Sequence, residues 1–316
     1  MPNSIVSFIS PNRSFIMGLA MMSILLFHQP FFYGELPYSI FWDFFHLYGA
    51  WGVEVFLFLS GLGIAFSLSR NTIKKYYFNR VKRLIPICLI VGSIKLLLLE
   101  GIGVNYYYTN DIFCIVTSLY QWFIYVIIIY YAIAPILMKL IHRWGWSIFF
   151  IITSFCLVLN YTVSFDHTWP LLIRRITWAI PRFPVFLLGM TMFIKPLNLT
   201  QMGIIVIGII AYILAMIFQV QTIRVSTQWD GRFIFVLIMV ATPMICVLCT
   251  YLSRIIERNW FYLYSAIKWI GYHTLELYLI HEAIYKFFFD YVNAEYYPYM
   301  SPFIMFVIFA IASILR

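Results

Sequence analysis

The chain has 316 residues, of which 63% are hydrophobic, 21% aromatic and 10% charged. A soluble domain carries about 45–50% apolar and about 25% charged residues, so this composition excludes an ordinary soluble protein, and the aromatic content excludes a disordered one. The net charge of +9 would suggest nucleic acid for a soluble chain; with so little polar surface it is first a signal of membrane topology, and no nucleic-acid partner is expected.

A bilayer span takes about 20 apolar residues, and the hydrophobic content fills about ten of them with little remaining. In chain order the predicted helices run over 14–33, 51–69, 84–99, 119–138, 147–164, 176–194, 202–220, 233–252, 267–288 and 302–316. Runs such as Phe123–Ile129 and Gly203–Ile217 are apolar on every face. That predicts buried or lipid-embedded helices and excludes the period-two pattern of a membrane barrel. The first apolar run has no small-residue cleavage signature and reads as a retained span. With no internal repeat or low-complexity linker, residues 1–316 are expected to form a single integral-membrane domain without a separate soluble one. The fold class expected is therefore an all-α integral membrane protein of about ten transmembrane helices.

Placing the N-terminus on one side puts Arg13, Arg70, Lys74, Lys75, Arg80, Lys82, Arg83, Lys139, Arg143, Lys195, Arg254, Arg258, Lys268 and Arg316 on that side, 14 of the 21 Lys and Arg residues. The other side holds Arg174, Arg175, Arg224, Arg232 and Lys286, while Lys95 and Arg182 fall within spans. The richer side is cytoplasmic by the positive-inside rule, so both termini are expected in the cytoplasm. The first two outer loops carry Glu35, Asp43, Glu100 and Asp111 and no Lys or Arg. The five cysteines, Cys88, Cys114, Cys156, Cys246 and Cys249, are read mainly as packing residues. Cys246 and Cys249 form a lone CxxC with no neighbouring His or second pair, a weak metal or redox signal.

A charge at mid-bilayer costs roughly 2.5–3.5 kcal/mol on insertion scales, so ionisable residues inside spans usually face a cavity or a partner. The candidates are His28, Glu54, Lys95, Arg182, Glu276, His281 and Glu282. His28 stands toward the outer end of the first span and Glu54 a few residues into the second. Antiparallel spans bring the two to similar depth. A carboxylate beside an imidazole fixes its tautomer and stabilises the imidazolium, as in hydrolase triads; the same pair equally serves as a helix–helix tie. Arg80 and Arg83 share a helix face at the predicted cytoplasmic edge. They read as a phosphate clamp or, more simply, as an anchor on anionic head groups. Pro86, just inside the third predicted span, suggests a helix start or a kink. Glu276 and His281 are five residues apart, about 140° around a helix, so at least one of them is expected to serve as an interhelical partner. The aromatic stretches near 105–110 and 295–300 fit interfacial belts. No metal-ligand spacing is evident, and no metal is expected.

Taken in order, these residues resemble the membrane acyltransferase 3 family, O-acyltransferases that modify bacterial surface sugars. MGLAMMSILLFH resembles the family's run from Arg or Lys through Gly and Ala to a histidine. GVEVFLFLSGLGIAFS is similar to its Gly-Val-Asp/Glu segment closing on Leu-Ser-Gly-Phe. YYFNRVKRLIP is similar to its Phe-Tyr-x-x-Arg-φ-x-Arg-φ-x-Pro, and WIGYHTLELYLIH to its closing segment, with Thr274 where the family often has Ser. WFIYVIIIYYAIAPIL and RFPVFLLG also match. The resemblance covers about residues 13–285. One departure is Met17, which stands where the family has Arg or Lys; Arg13, one turn earlier, is the candidate substitute.

The resemblance implies an acyl-CoA donor, usually acetyl-CoA, and a sugar or lipid-linked glycan hydroxyl as acceptor, in a multi-pass protein of the cytoplasmic membrane. It implies no bound cofactor. It assigns His28 as general base or transient acyl carrier, oriented by Glu54, and Arg80 and Arg83 to the CoA phosphates. Arg13, Arg182, Ser60, Trp122, Glu276 and His281 are the candidates for charge stabilisation or substrate contact. Two other readings stand beside it. One is a transporter or flippase with a buried His/Glu proton relay, although the paired halves of such folds are not visible here. The other is a family member without catalysis.

Overall fold

The computed structural model describes residues 5–33, 51–101, 122–162, 179–225, 230–291 and 297–315, and every regular element among them is helical. In chain order the helices are α1 (Ile5–Ile9), α2 (Arg13–Tyr33), α3 (Gly52–Arg70), α4 (Ile73–Gly101), α5 (Trp122–Trp144) and α6 (Trp146–Thr162). They continue with α7 (Phe183–Ile194), α8 (Gln201–Val225), α9 (Asp230–Asn259), α10 (Phe261–Tyr272), α11 (Thr274–Tyr291) and α12 (Tyr297–Ile314). Short 3-10 turns, Ser10–Asn12 and Ile180–Arg182, lead into α2 and α7. Five stretches are long and apolar enough to cross a membrane: Ile5–Gln29, Gly52–Arg70, Trp122–Trp144, Gln201–Phe218 and Ile234–Asn259.

Exposed side chains identify the solvent. α6 exposes Phe150, Ile151, Phe155 and Val158, and α8 exposes Met202, Val206, Ile210, Ile213 and Ile217. Faces of this kind suit hydrocarbon, where only a helix satisfies its own backbone.

Each of the ten predicted ranges contains a described helix. Residues 119–121, 163–164, 176–178 and 316 of those ranges lie outside the described residues, as do Glu35, Asp43, the 105–110 stretch, Asp111, Cys114, Arg174 and Arg175. Two boundaries differ in an instructive way. Pro86 neither starts nor ends a helix: α4 begins at Ile73 and runs through it. Thr72 Oγ1 accepts the Lys75 N–H at 3.4 Å and so caps the start. The predicted helix 267–288 is two helices that meet at His273. Its N–H is shared between the carbonyls of Trp269 (3.2 Å) and Ile270 (3.1 Å), while its own carbonyl already accepts from Leu277. The chain therefore kinks there with its hydrogen bonds kept, next to Gly271, a poor helix former.

The helices fall into two compact units that alternate along the chain. The first draws on Met1–Ile16, Glu54–Tyr77 and Trp122–Phe261, the second on Met17–Val53, Phe78–Gln121 and Tyr262–Arg316. In the first unit α3 and α7 cross backbone to backbone. A Cβ at Gly61 would meet the Phe186 carbonyl oxygen, and one at Gly189 the Phe58 carbonyl oxygen. Small residues allow that approach where helices pack in lipid. Pro135 deprives the Tyr131 carbonyl of its helical donor, and the buried Tyr76 hydroxyl donates to that oxygen at 3.0 Å instead. Gly145, at φ 57°, turns α5 into α6. In the second unit α11 buries Leu277, Tyr278, Leu279, Ile280, His281 and Tyr285. Tyr285 donates its hydroxyl to the Leu25 carbonyl of α2 at 3.0 Å.

Candidate active site

The second unit holds a histidine–carboxylate cluster built by α2 and α11. His28 comes from α2; its Nδ1 lies 2.9 Å from the Ile24 carbonyl. A carbonyl only accepts, so Nδ1 carries the proton and Nε2 is the lone-pair nitrogen of the neutral ring. Glu282 of α11 places Oε1 3.7 Å from that Nε2. His281, the preceding residue, is fully buried, with Nδ1 directed at the carbonyls of Leu277 (3.1 Å) and Tyr278 (2.8 Å). The two imidazole rings stand edge to face, centroids 4.8 Å apart. The bond from Tyr285 to Leu25 lies one turn from both histidines and fixes α2 against α11. Both side chains of the His28–Glu282 pair keep some exposure, 20% and 36%.

The first unit holds a charged cluster of its own. Glu54, 2% exposed, takes Arg182 as its partner, with Nε to Oε1 at 3.1 Å. The Arg182 guanidinium also lies 4.7 Å from the ring centroids of both Trp122 and Phe235, a cation–π arrangement. Tyr130 donates its hydroxyl to the Ala179 carbonyl at 2.6 Å, just before the turn that presents Arg182.

Sequence depth pairs Glu54 with His28. In the structure Glu54 is held by Arg182, and the carboxylate beside His28 is that of Glu282. Glu282 is visible in the sequence only as one of several ionisable residues in a span; its pairing with a residue 254 positions earlier needs the fold. Of the other candidates, Arg80 is half-buried and Arg83 exposed on α4, with Lys74, Lys75 and Lys82 also exposed. Arg13 is half-buried at the start of α2 and covers Gly63, where a Cβ would lie 3.2 Å from its Nη2. Ser60 is half-buried on α3. Glu276 is half-buried, and its buried Oε2 has no hydrogen-bond partner among the described residues. The side chains of Lys95, Glu100, Arg224, Arg232 and Lys286 lie outside those described. Cys88, Cys156, Cys246 and Cys249 are free thiols, three of them buried.

A family model described as an acyltransferase domain matches residues 16–315, nearly the whole chain. No curated protein and no solved structure matches it. The match takes in both clusters, both arginines of α4 and the glycine-mediated helix crossing. With lipid-facing helices on one side of the argument and this match on the other, the chain is a multi-pass membrane protein and belongs to the acyltransferase 3 family.

Proposed function

We propose that the protein moves an acyl group, acetyl by the family's usage, from acyl-CoA to a hydroxyl of a cell-surface or lipid-linked sugar, with His28 as general base. The observation that carries this reading is the His28 geometry. Its Nδ1–H is anchored on the Ile24 carbonyl, and its Nε2 faces an approachable carboxylate, Glu282. In the reaction Nε2 takes the acceptor's hydroxyl proton while the oxygen attacks the thioester carbonyl. The C–S bond then breaks, and the imidazolium returns the proton to the leaving thiolate. Glu282 stabilises the imidazolium while it exists. Arg80 and Arg83 hold the CoA phosphates at the cytoplasmic face, which the lysine-rich start of α4 supports. Glu54, Arg182 and Trp122 then act as a structural tie in their own unit. The protein lies in the cytoplasmic membrane with ten spans and both termini inside, and it needs no bound cofactor for this step.

The test is acetyl transfer from labelled acetyl-CoA to a glycan acceptor, measured per folded protein. His28→Ala should lose about 10²–10⁴-fold in turnover, the typical contribution of a general base. Run against acetyl-CoA concentration, the same assay should show the Arg80→Ala/Arg83→Ala double variant needing more donor. Near wild-type turnover in well-folded His28→Ala would overturn the mechanism. A flippase would leave the thioester intact in every variant.

A further inference from the structure

We propose that His28, His281 and Glu282 form a binding site for a divalent transition metal, with zinc the best fit to the ligand set. One ligand atom from each of the three lies within 4.8 Å of the others. Two imidazoles and one carboxylate are a set that zinc accepts, leaving a fourth position open. Hard cations such as calcium and magnesium require oxygen ligands and are poorly served by it.

The orientation of the rings strengthens the assignment. Both histidines direct Nδ1 at helix carbonyls, His28 at Ile24 and His281 at Leu277 and Tyr278. A metal-bound histidine characteristically donates its other ring N–H to a carbonyl or carboxylate, which fixes the tautomer and aims the lone pair. Here the backbone of each histidine's own helix performs that task, so Nε2 is the coordinating atom on both rings. The ligands come from two helices, α2 and α11, which the Tyr285–Leu25 bond holds together one turn away.

The spacing is close to what a metal needs. Zinc ligands at about 2.0–2.2 Å from the metal in tetrahedral geometry stand roughly 3.3–3.6 Å from one another. His28 Nε2 and Glu282 Oε1, at 3.7 Å, are already near that separation. All three ligand atoms lie within 4.8 Å of one another, so small side-chain rotations bring them to coordination spacing, with Glu282, 36% exposed, the least confined of the three. His281 is fully buried and His28 mostly so, while Glu282 keeps 36% of its side chain exposed.

The inference rests on the reading of His28 as base only in its consequence: a metal on Nε2 occupies the lone pair that would accept the proton. Zinc should then inhibit acyl transfer reversibly.

The experiment uses the full chain purified in detergent, incubated with zinc chloride, desalted and measured for bound zinc, with affinity from competition against a chromophoric chelator. Wild type should retain one zinc per chain, and zinc should raise its melting temperature. His281→Asn and Glu282→Gln should each bind at least about tenfold more weakly, a minimum for loss of a direct ligand when outer-shell changes alone cost 10–100-fold. If one variant fails to fold, the other gives the same reading. The Cys246→Ala/Cys249→Ala double variant should keep its zinc. Failure of the wild type to bind zinc above a magnesium control overturns the site. So does zinc lost from the cysteine variant but retained by His281→Asn and Glu282→Gln. Zinc bound at the three residues without inhibition of acetyl transfer leaves the site standing and counts against His28 as the base.

Discussion

Glu54 and Arg182 are a charge pair that only a protein interior makes worthwhile. The carboxylate is 2% exposed, and the guanidinium is pinned between two aromatic faces as well as on the carboxylate. Removing one charge leaves the other buried and uncompensated, a loss of about 3–5 kcal/mol for such pairs. Glu54→Gln should therefore lower the melting temperature and the folded yield, with donor affinity of the surviving folded protein unchanged. Intact stability with a large loss of turnover would assign Glu54 to the chemistry instead, as its sequence depth beside His28 suggests. The candidate residues themselves were legible because a charge in an apolar run needs a reason. Their partners were not, since depth ranks many residues alike and distance in space depends on helix rotation. His28 and Glu282 are far apart in the chain and come together only where α2 meets α11.

At the scale of the helix, apolar periodicity marked where helices stand but not how they end or touch. The kink at His273 follows from hydrogen bonds shared between two carbonyls, a matter of local geometry that a uniformly apolar run does not announce. Pro135 interrupts α5 in the sequence, yet the Tyr76 hydroxyl repairs the lost bond from another helix. The crossing of α3 and α7 at Gly61 and Gly189 leaves no room for a methyl group. Gly61→Ala must push the backbones apart, and overpacking of this kind typically costs about 1–3 kcal/mol. Thermal melting of the detergent-solubilised variant should fall accordingly. Gly203→Ala, whose Cβ would meet, among the described residues, only Thr200 Oγ1 at 3.3 Å, should melt close to wild type. Equal melting of the two variants would mean that the α3–α7 contact is looser than described.

For the molecule as a whole, the charge asymmetry makes the sharpest forecast. The ten predicted spans assign 14 of the 21 basic residues to one side, so a tag fused after Arg316 should be inaccessible to membrane-impermeant reagents in intact cells and labelled once the membrane is opened. Labelling from outside would reverse the orientation or make the span count odd. Composition alone settled the class of solvent and the helical class of fold, because hydrocarbon permits few structures and a run of about 20 apolar residues is decisive within the chain itself. The ordered motifs settled the family, since the order of short signatures survives in one dimension. What only tertiary structure decided was partnership: Glu282 at His28, Arg182 at Glu54, and the meeting of His28, His281 and Glu282 from two helices. In a helix that is apolar on most faces, the hydrophobic pattern does not say which face meets which neighbour, so the polar contacts are fixed only when the helices dock.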